Sequence, residues 1–91
     1  MSAAGQLHRL LSAAAPTGVT VTHDRSRPWA SAMFIGERHR YTLVWAGGAP
    51  TTWLDALPDW EADLAGYVAI DAVVRLFDGH ADAEFLVIDD A

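Results

Sequence analysis

The chain has 91 residues, of which 52% are hydrophobic and 20% charged, a composition that predicts one small folded domain over residues 1–91. It contains no cysteine, which excludes disulfides and thiol chemistry, and no lysine or asparagine. Six arginines stand against twelve carboxylates, and the resulting net charge of −6 argues against a general affinity for nucleic acid. The alanine-rich, lysine-free composition is typical of a GC-rich bacterial genome.

The charge is divided unevenly along the chain. Residues 1–50 carry five arginines and two carboxylates, whereas residues 51–91 carry one arginine and ten carboxylates. This asymmetry predicts one of two arrangements. Either the two halves neutralise each other inside the fold, or a basic face and an acidic face engage partners.

The start of the chain does not resemble a targeting segment. His8 and Arg9 interrupt its apolar run, whereas a secretory signal needs about 7–15 uninterrupted apolar residues. No stretch approaches the roughly 18 apolar residues that cross a bilayer. We therefore expect a soluble cytoplasmic protein.

The first element is predicted to be a helix. Ser2 is a suitable N-cap, and Leu7, Leu10 and Leu11 recur at helical spacing. Pro16 ends the helix, because a residue that precedes proline is disfavoured in helical conformation.

Alternation of apolar and polar residues then predicts three strands, Val19–Asp24, Trp29–Ile35 and Arg40–Ala46. The polar segment 25–28, closed by a proline, separates the first two strands. The segment 36–39, which begins with glycine, is predicted to be a hairpin loop. The three strands should form an antiparallel meander.

After a break at 47–50, Thr52 and Asp55 resemble a capping box that opens a short helix. Pro58 ends that helix, and residues 59–64 are predicted to be extended. Residues 67–77 fit a strand and, nearly as well, a helix. Their β-branched residues and the following Asp78-Gly79 pair favour a strand that turns into a second one over 81–89. The alternative is a helix over 66–77 followed by one strand.

The predicted fold is therefore α+β, with order α-β-β-β-α-β-β and with the helices on one face of an antiparallel sheet.

Candidate interface or ligand residues are of two kinds. Arginine pairs can present a fork to a carboxylate or phosphate, and exposed tryptophans anchor interfaces. These candidates are Arg25, Arg27, Arg38, Arg40, Trp29, Trp45, Trp53 and Trp60. Asp71 and Arg75 lie on the same side of a strand or of a helix and are predicted to form a structural ion pair.

Signals of chemistry are weak. Asp78, His80 and Asp82 alternate around a turn, where polar residues collect in any case, so we predict neither a metal nor a cofactor. We identify no catalytic residues.

The sequence favours a non-enzymatic protein-interaction module that self-associates. Its partner is a second copy of itself, as a homodimer, or another protein. The alternative is a small-ligand-binding protein or simple acid–base enzyme with an aromatic-lined pocket between sheet and helices. That pocket would use His23, Arg25, Tyr67 or Asp71.

Overall fold

The computed structural model describes residues 2–90 and consists there of two helices, one 3₁₀ turn and a four-stranded antiparallel sheet. The sheet order is β1-β2-β4-β3, so β1 and β3 are its edges. The α+β class and the antiparallel sheet are confirmed. The elements are α1 Ala3–Ala14, β1 Val19–Ala30, β2 Ile35–Trp45, α2 Thr51–Ala56, the 3₁₀ turn Leu57–Asp59, β3 Tyr67–Leu76 and β4 His80–Asp89.

Helix α1 begins and ends as predicted. The Ser2 hydroxyl accepts a hydrogen bond from the Gly5 amide at 3.1 Å, and the helix stops two residues before Pro16. Its apolar stripe is buried, with Leu7 and Leu11 fully inaccessible. Helix α1 therefore contributes one wall of the core.

The β1–β2 hairpin corrects the predicted boundaries, because two long strands replace three shorter ones. The predicted break at 25–28 lies inside β1, which continues past a register shift between His23 and Arg25. Pro28 is tolerated because β1 is an edge strand. The predicted loop at 36–39 lies inside β2, and the chain turns instead at 31–34, where the Ser31 amide donates to the Phe34 carbonyl at 2.9 Å.

The β3–β4 hairpin is confirmed, and the helical alternative for 66–77 is wrong. The Phe77 amide donates to the His80 carbonyl at 2.8 Å across the Asp78-Gly79 turn. Gly79 has φ of 80°, a conformation that favours glycine. The local turn chemistry and the strand pattern agree here.

Helix α2 starts two residues earlier than the capping box predicts. Pro50 is its N-cap in place of Thr52, and no side chain of residues 2–90 makes a capping hydrogen bond there. Residues 60–64 belong to no strand. Leu54, Leu57 and Leu64 are nevertheless buried, so this region contributes to the core.

Burial alternates along β2 and identifies the covered face of the sheet. His39, Tyr41, Leu43 and Trp45 are buried, whereas the residues between them are half-buried or exposed. The Tyr41 hydroxyl donates to the Ala4 carbonyl at 2.7 Å and so joins the sheet to α1. The core thus lies on one face, with the helices, and the opposite face is called the open face below.

Candidate functional site

The open face gathers five of the six arginines. Arg25 pairs in register with Arg40, and Arg27 pairs with Arg38, so these four side chains share one side of the β1–β2 ladder. Arg75 joins them from β3, because it pairs with Asp82, which in turn pairs with Thr42. The four predicted candidate arginines are therefore brought together, and a fifth is added.

A single carboxylate lies at the centre of this cluster. Glu84 on β4 pairs in register with Arg40, and its Oε2 lies 3.5 Å from the Arg40 Nε. Its Oε1 lies 3.6 Å from Arg27 Nη2 and 3.8 Å from Arg38 Nη1. One negative charge is thus shared by three guanidinium groups.

The cluster borders a shallow cavity of about 160 Å³. Arg40 Nε is buried, and within residues 2–90 its 3.5 Å contact with Glu84 Oε2 is an ion pair without hydrogen-bond geometry. A buried N–H without a well-aligned acceptor is unfavourable, so this cavity favours a group that brings oxygen acceptors. The lining residues are Arg38, Arg40, Val73, Arg75, Asp82 and Glu84.

Apolar side chains adjoin the arginines on the open face. Trp29 pairs with Gly36, which pairs with Ile88, which pairs with Val68. Trp29 is half-buried, and Val68 is 43% exposed. A mixture of arginine, tryptophan and aliphatic groups is typical of protein interfaces.

The charge on the open face differs in sign from the rest of the chain. The five arginines are opposed there by four carboxylates, those of Asp24, Asp71, Asp82 and Glu84, and the Asp24 carboxylate accepts from the Thr42 hydroxyl at 2.5 Å. Every other charged residue except Arg9 is acidic, which leaves one arginine against eight carboxylates outside this face. The open face thus carries a small excess of positive charge on an acidic protein.

Ser26 connects two histidines at the margin of the covered face. Its Oγ lies 2.6 Å from Nδ1 of His39 and 2.9 Å from Nε2 of His23. His39 is 1% exposed, and its Nε2 makes no hydrogen bond to any of residues 2–90, although Glu37 Oε1 lies 3.9 Å away. Burial lowers the pKa of His39 below 6.5, the Glu37 carboxylate opposes this, and His23 adds to it.

The Ser26 hydroxyl can donate a hydrogen bond to one imidazole and accept one from the other, and the His39 ring is enclosed. From the sequence, Ser26 belongs to the polar segment 25–28 between two predicted strands, and its contact with His39 is not predicted. The signal for this contact is the strand register, in which Ser26 pairs directly with His39.

The four tryptophans occupy different environments. Trp45 is 9% exposed and belongs to the core. Trp53 and Trp60 are half-buried against the core, and they line a surface cavity of about 390 Å³. Trp29 is the tryptophan that reaches the open face.

Asp71 and Arg75 share the open side of β3, but no ion pair joins them within residues 2–90. Four residues along a strand span about 13 Å, too far for direct contact. The His80 ring stacks on Phe77, with centroids 4.8 Å apart. Across the described part of the chain, no group of three or more His, Asp or Glu residues is arranged to hold a metal ion.

No helix within the described range is long and apolar enough to cross a membrane. Comparison with protein-family models, with curated proteins and with solved structures found no significant match.

Proposed function

We propose that this chain is a non-enzymatic, cytoplasmic protein-interaction module that self-associates and binds an acidic segment of a partner protein on its open face. The observation that carries the proposal is the placement of five of the six arginines on the uncovered face of the sheet. Guanidinium groups bind carboxylates in bidentate fashion, and complementary charge determines which partner docks.

A polypeptide fits this surface better than a nucleic acid does. Asp82 and Glu84 interrupt the arginines, and Trp29 and Val68 add apolar contacts. Beyond the open face the chain is strongly acidic, so an extended polyphosphate would be repelled wherever it passed the edge. A peptide with spaced carboxylates and apolar residues matches the pattern.

The packing between helices and sheet gives less support to the alternative of a ligand pocket there. Leu7, Leu11, Tyr41, Leu43 and Phe85 fill that layer, each at most 1% exposed. Tyr41 contacts Phe85 edge to face with centroids 6.0 Å apart, and Trp60 contacts Phe85 in the same way at 5.9 Å. The aromatic rings thus serve the core.

Fluorescence anisotropy with a labelled glutamate- and leucine-rich peptide tests the proposal. Arg25→Glu, on the open face, should weaken binding by about tenfold, because a like charge replaces an attractive one. Arg9→Glu is the matched control, since Arg9 is exposed on α1 and its replacement changes the net charge equally. Binding to the wild type should weaken as salt is added.

Two results would overturn the binding proposal. One is equal weakening by Arg25→Glu and Arg9→Glu, which would indicate a response to net charge alone. The other is that the protein binds a labelled single-stranded oligonucleotide but does not bind the peptide when each is tested separately, which would make the open face a nucleic-acid-binding surface.

A further inference from the structure

The edge strand β3 exposes an unusual number of large apolar side chains. Ile70 is 48% exposed, Val73 46% and Leu76 59%, all within one seven-residue segment, 70–76. A long apolar edge strand is a template for pairing with another strand. The edge therefore offers a template on which a second strand can pair.

The backbone of this edge has free hydrogen-bonding groups. The Phe77 amide points to β4, where it donates to the His80 carbonyl. Because antiparallel ladders alternate, the amides and carbonyls of Ala72, Val74 and Leu76 point away from β4. No backbone hydrogen bond from another segment of residues 2–90 reaches these three residues.

The segment 71–75, which follows the register shift between Ala69 and Asp71, is complementary to itself when reversed. If Val73 of one copy lies opposite Val73 of another, then Ala72 lies opposite Val74. Asp71 lies opposite Arg75 twice, once on each side of the centre. Both charged residues are exposed and are on the open side of β3, so each pair meets on one face.

We propose that two copies of this chain pair through β3 in this antiparallel register, with Val73 at the two-fold axis. This inference rests on the self-association proposed above and specifies its surface. The pairing forms a continuous eight-stranded sheet. It covers the exposed apolar side chains and supplies each Asp71 with an Arg75 of the other copy. Antiparallel ladders accept such pairs, and opposite charges across strands stabilise them.

Neighbouring registers lack this match. The outward backbone groups stay paired only when one strand shifts by two residues relative to the other. Such a shift places Val73 opposite Asp71 in one direction and opposite Arg75 in the other. A second shift in the latter direction places Arg75 opposite the Arg75 of the other copy. Stacking the two open faces on each other would instead bring five arginines against five. The edge thus serves a second copy, and the open face remains available for the acidic partner.

Cysteine cross-linking tests the register directly, because the chain has no cysteine of its own. By the alternation above, Val73 occupies a non-hydrogen-bonded pair, in which Cβ atoms lie about 4.5–5.5 Å apart, close to disulfide distance. Val73→Cys should form a disulfide-linked dimer under mild oxidation. Val68→Cys is the matched control, since Val68 is similarly exposed on the same face but lies about 33 Å from its counterpart in this register.

Charge reversal provides a second test in the cysteine-free chain, with mass measured by light scattering. Asp71→Arg and Arg75→Asp should each shift the protein towards monomer by about tenfold in dissociation constant, and the double variant should restore the dimer. Circular dichroism checks that each variant is folded.

The outcomes separate this inference from the proposed function. A dimer that forms no Val73→Cys cross-link, or that cross-links equally through Val68→Cys, would overturn this register and leave self-association standing. A monomer at all accessible concentrations would overturn both, whereas loss of peptide binding alone would leave the β3 dimer intact.

Discussion

The Ser26 hydroxyl lies 2.6 Å from Nδ1 of His39, and the two residues are direct partners across the β1–β2 ladder. His39 is almost fully enclosed, and its other ring nitrogen has no hydrogen-bond partner within the described residues. Within residues 2–90, Ser26 therefore provides the hydrogen bond of the buried His39 ring, through Nδ1.

Removing that hydroxyl should destabilise the fold. Ser26→Ala leaves a buried imidazole nitrogen unsatisfied, which costs about 1–3 kcal/mol in free energy of unfolding. Urea denaturation followed by tryptophan fluorescence measures the loss. Ser12→Ala, at an exposed position near the end of α1, is the control and should change the free energy by less than about 0.5 kcal/mol. Equal effects of the two substitutions would contradict the importance of the contact.

The same imidazole should make stability depend on pH. Burial holds the pKa of His39 in the folded protein below its ordinary value of 6.5, so the unfolded chain takes up a proton first as pH falls. Stability should therefore decrease as pH falls below about 6.5 and stop decreasing, for this group, below its folded pKa.

Comparing the pH dependence of the wild type with that of a variant without this histidine isolates its contribution to stability. His39→Asn retains a hydrogen-bonding side chain but cannot titrate. The free energy of unfolding of this variant should therefore fall less than that of the wild type between about pH 7.5 and about pH 5.5, one unit on either side of the ordinary pKa of 6.5. Thermal and urea unfolding across this range measure the difference. Parallel pH profiles would show that His39 has no lowered pKa.

The two hairpins differ in how well the sequence predicts them. In β3–β4, strand alternation and the Asp78-Gly79 turn agree, and the hairpin is predicted correctly. In β1–β2, polar residues continue through 36–40 because Arg38 and Arg40 lie on the open face, and the turn at 31–34 carries Met33 and Phe34, both exposed. Local polarity therefore indicates a loop where the strand continues.

Gly36 contributed to the wrong prediction of a hairpin loop at 36–39, because this glycine is needed for space and not for a turn conformation. An added Cβ there would lie 2.0 Å from the Val87 carbonyl oxygen and 2.8 Å from the Ile88 Cα, both on the neighbouring strand. Glycine is thus required by the close approach of β4, a constraint that involves residues about 50 positions away along the chain and cannot be seen in a local pattern.

Gly36→Ala should accordingly disturb the β2–β4 ladder. Backbone atoms cannot move aside as a flexible side chain does, so we expect a loss of about 2–4 kcal/mol in free energy of unfolding. Gly48→Ala is the control, because Gly48 is exposed and nothing lies within 4 Å of its added Cβ. Hydrogen exchange should show faster opening around Gly36 in the first variant. Unchanged stability would mean that β4 does not approach so closely.

The candidate site was predictable only in fragments. The sequence identifies Arg25, Arg27, Arg38 and Arg40 as candidates. It predicts a break at 25–28 and a loop at 36–39, whereas both segments lie inside β1 and β2, where residues two apart share one side. The assembly of these arginines with Glu84 depends on the register of β2 with β4, which the sequence does not reveal. The absence of a covering layer on that face depends on where the helices pack.

Glu84 should limit how strongly the open face binds acidic groups, because it competes for three guanidinium groups at 3.5–3.8 Å. Glu84→Gln should therefore increase affinity for the glutamate- and leucine-rich peptide by about tenfold while lowering the free energy of unfolding by about 1 kcal/mol. The stability loss should shrink at high salt, because salt screens the repulsion among the released arginines.

The matched control is Asp82→Asn, which removes the same charge from the same face of β4. It should raise affinity less, because within residues 2–90 Asp82 forms no ion pair to release. Equal gains from both substitutions would show that the peptide responds to the overall charge of the face and not to the arginines that Glu84 holds.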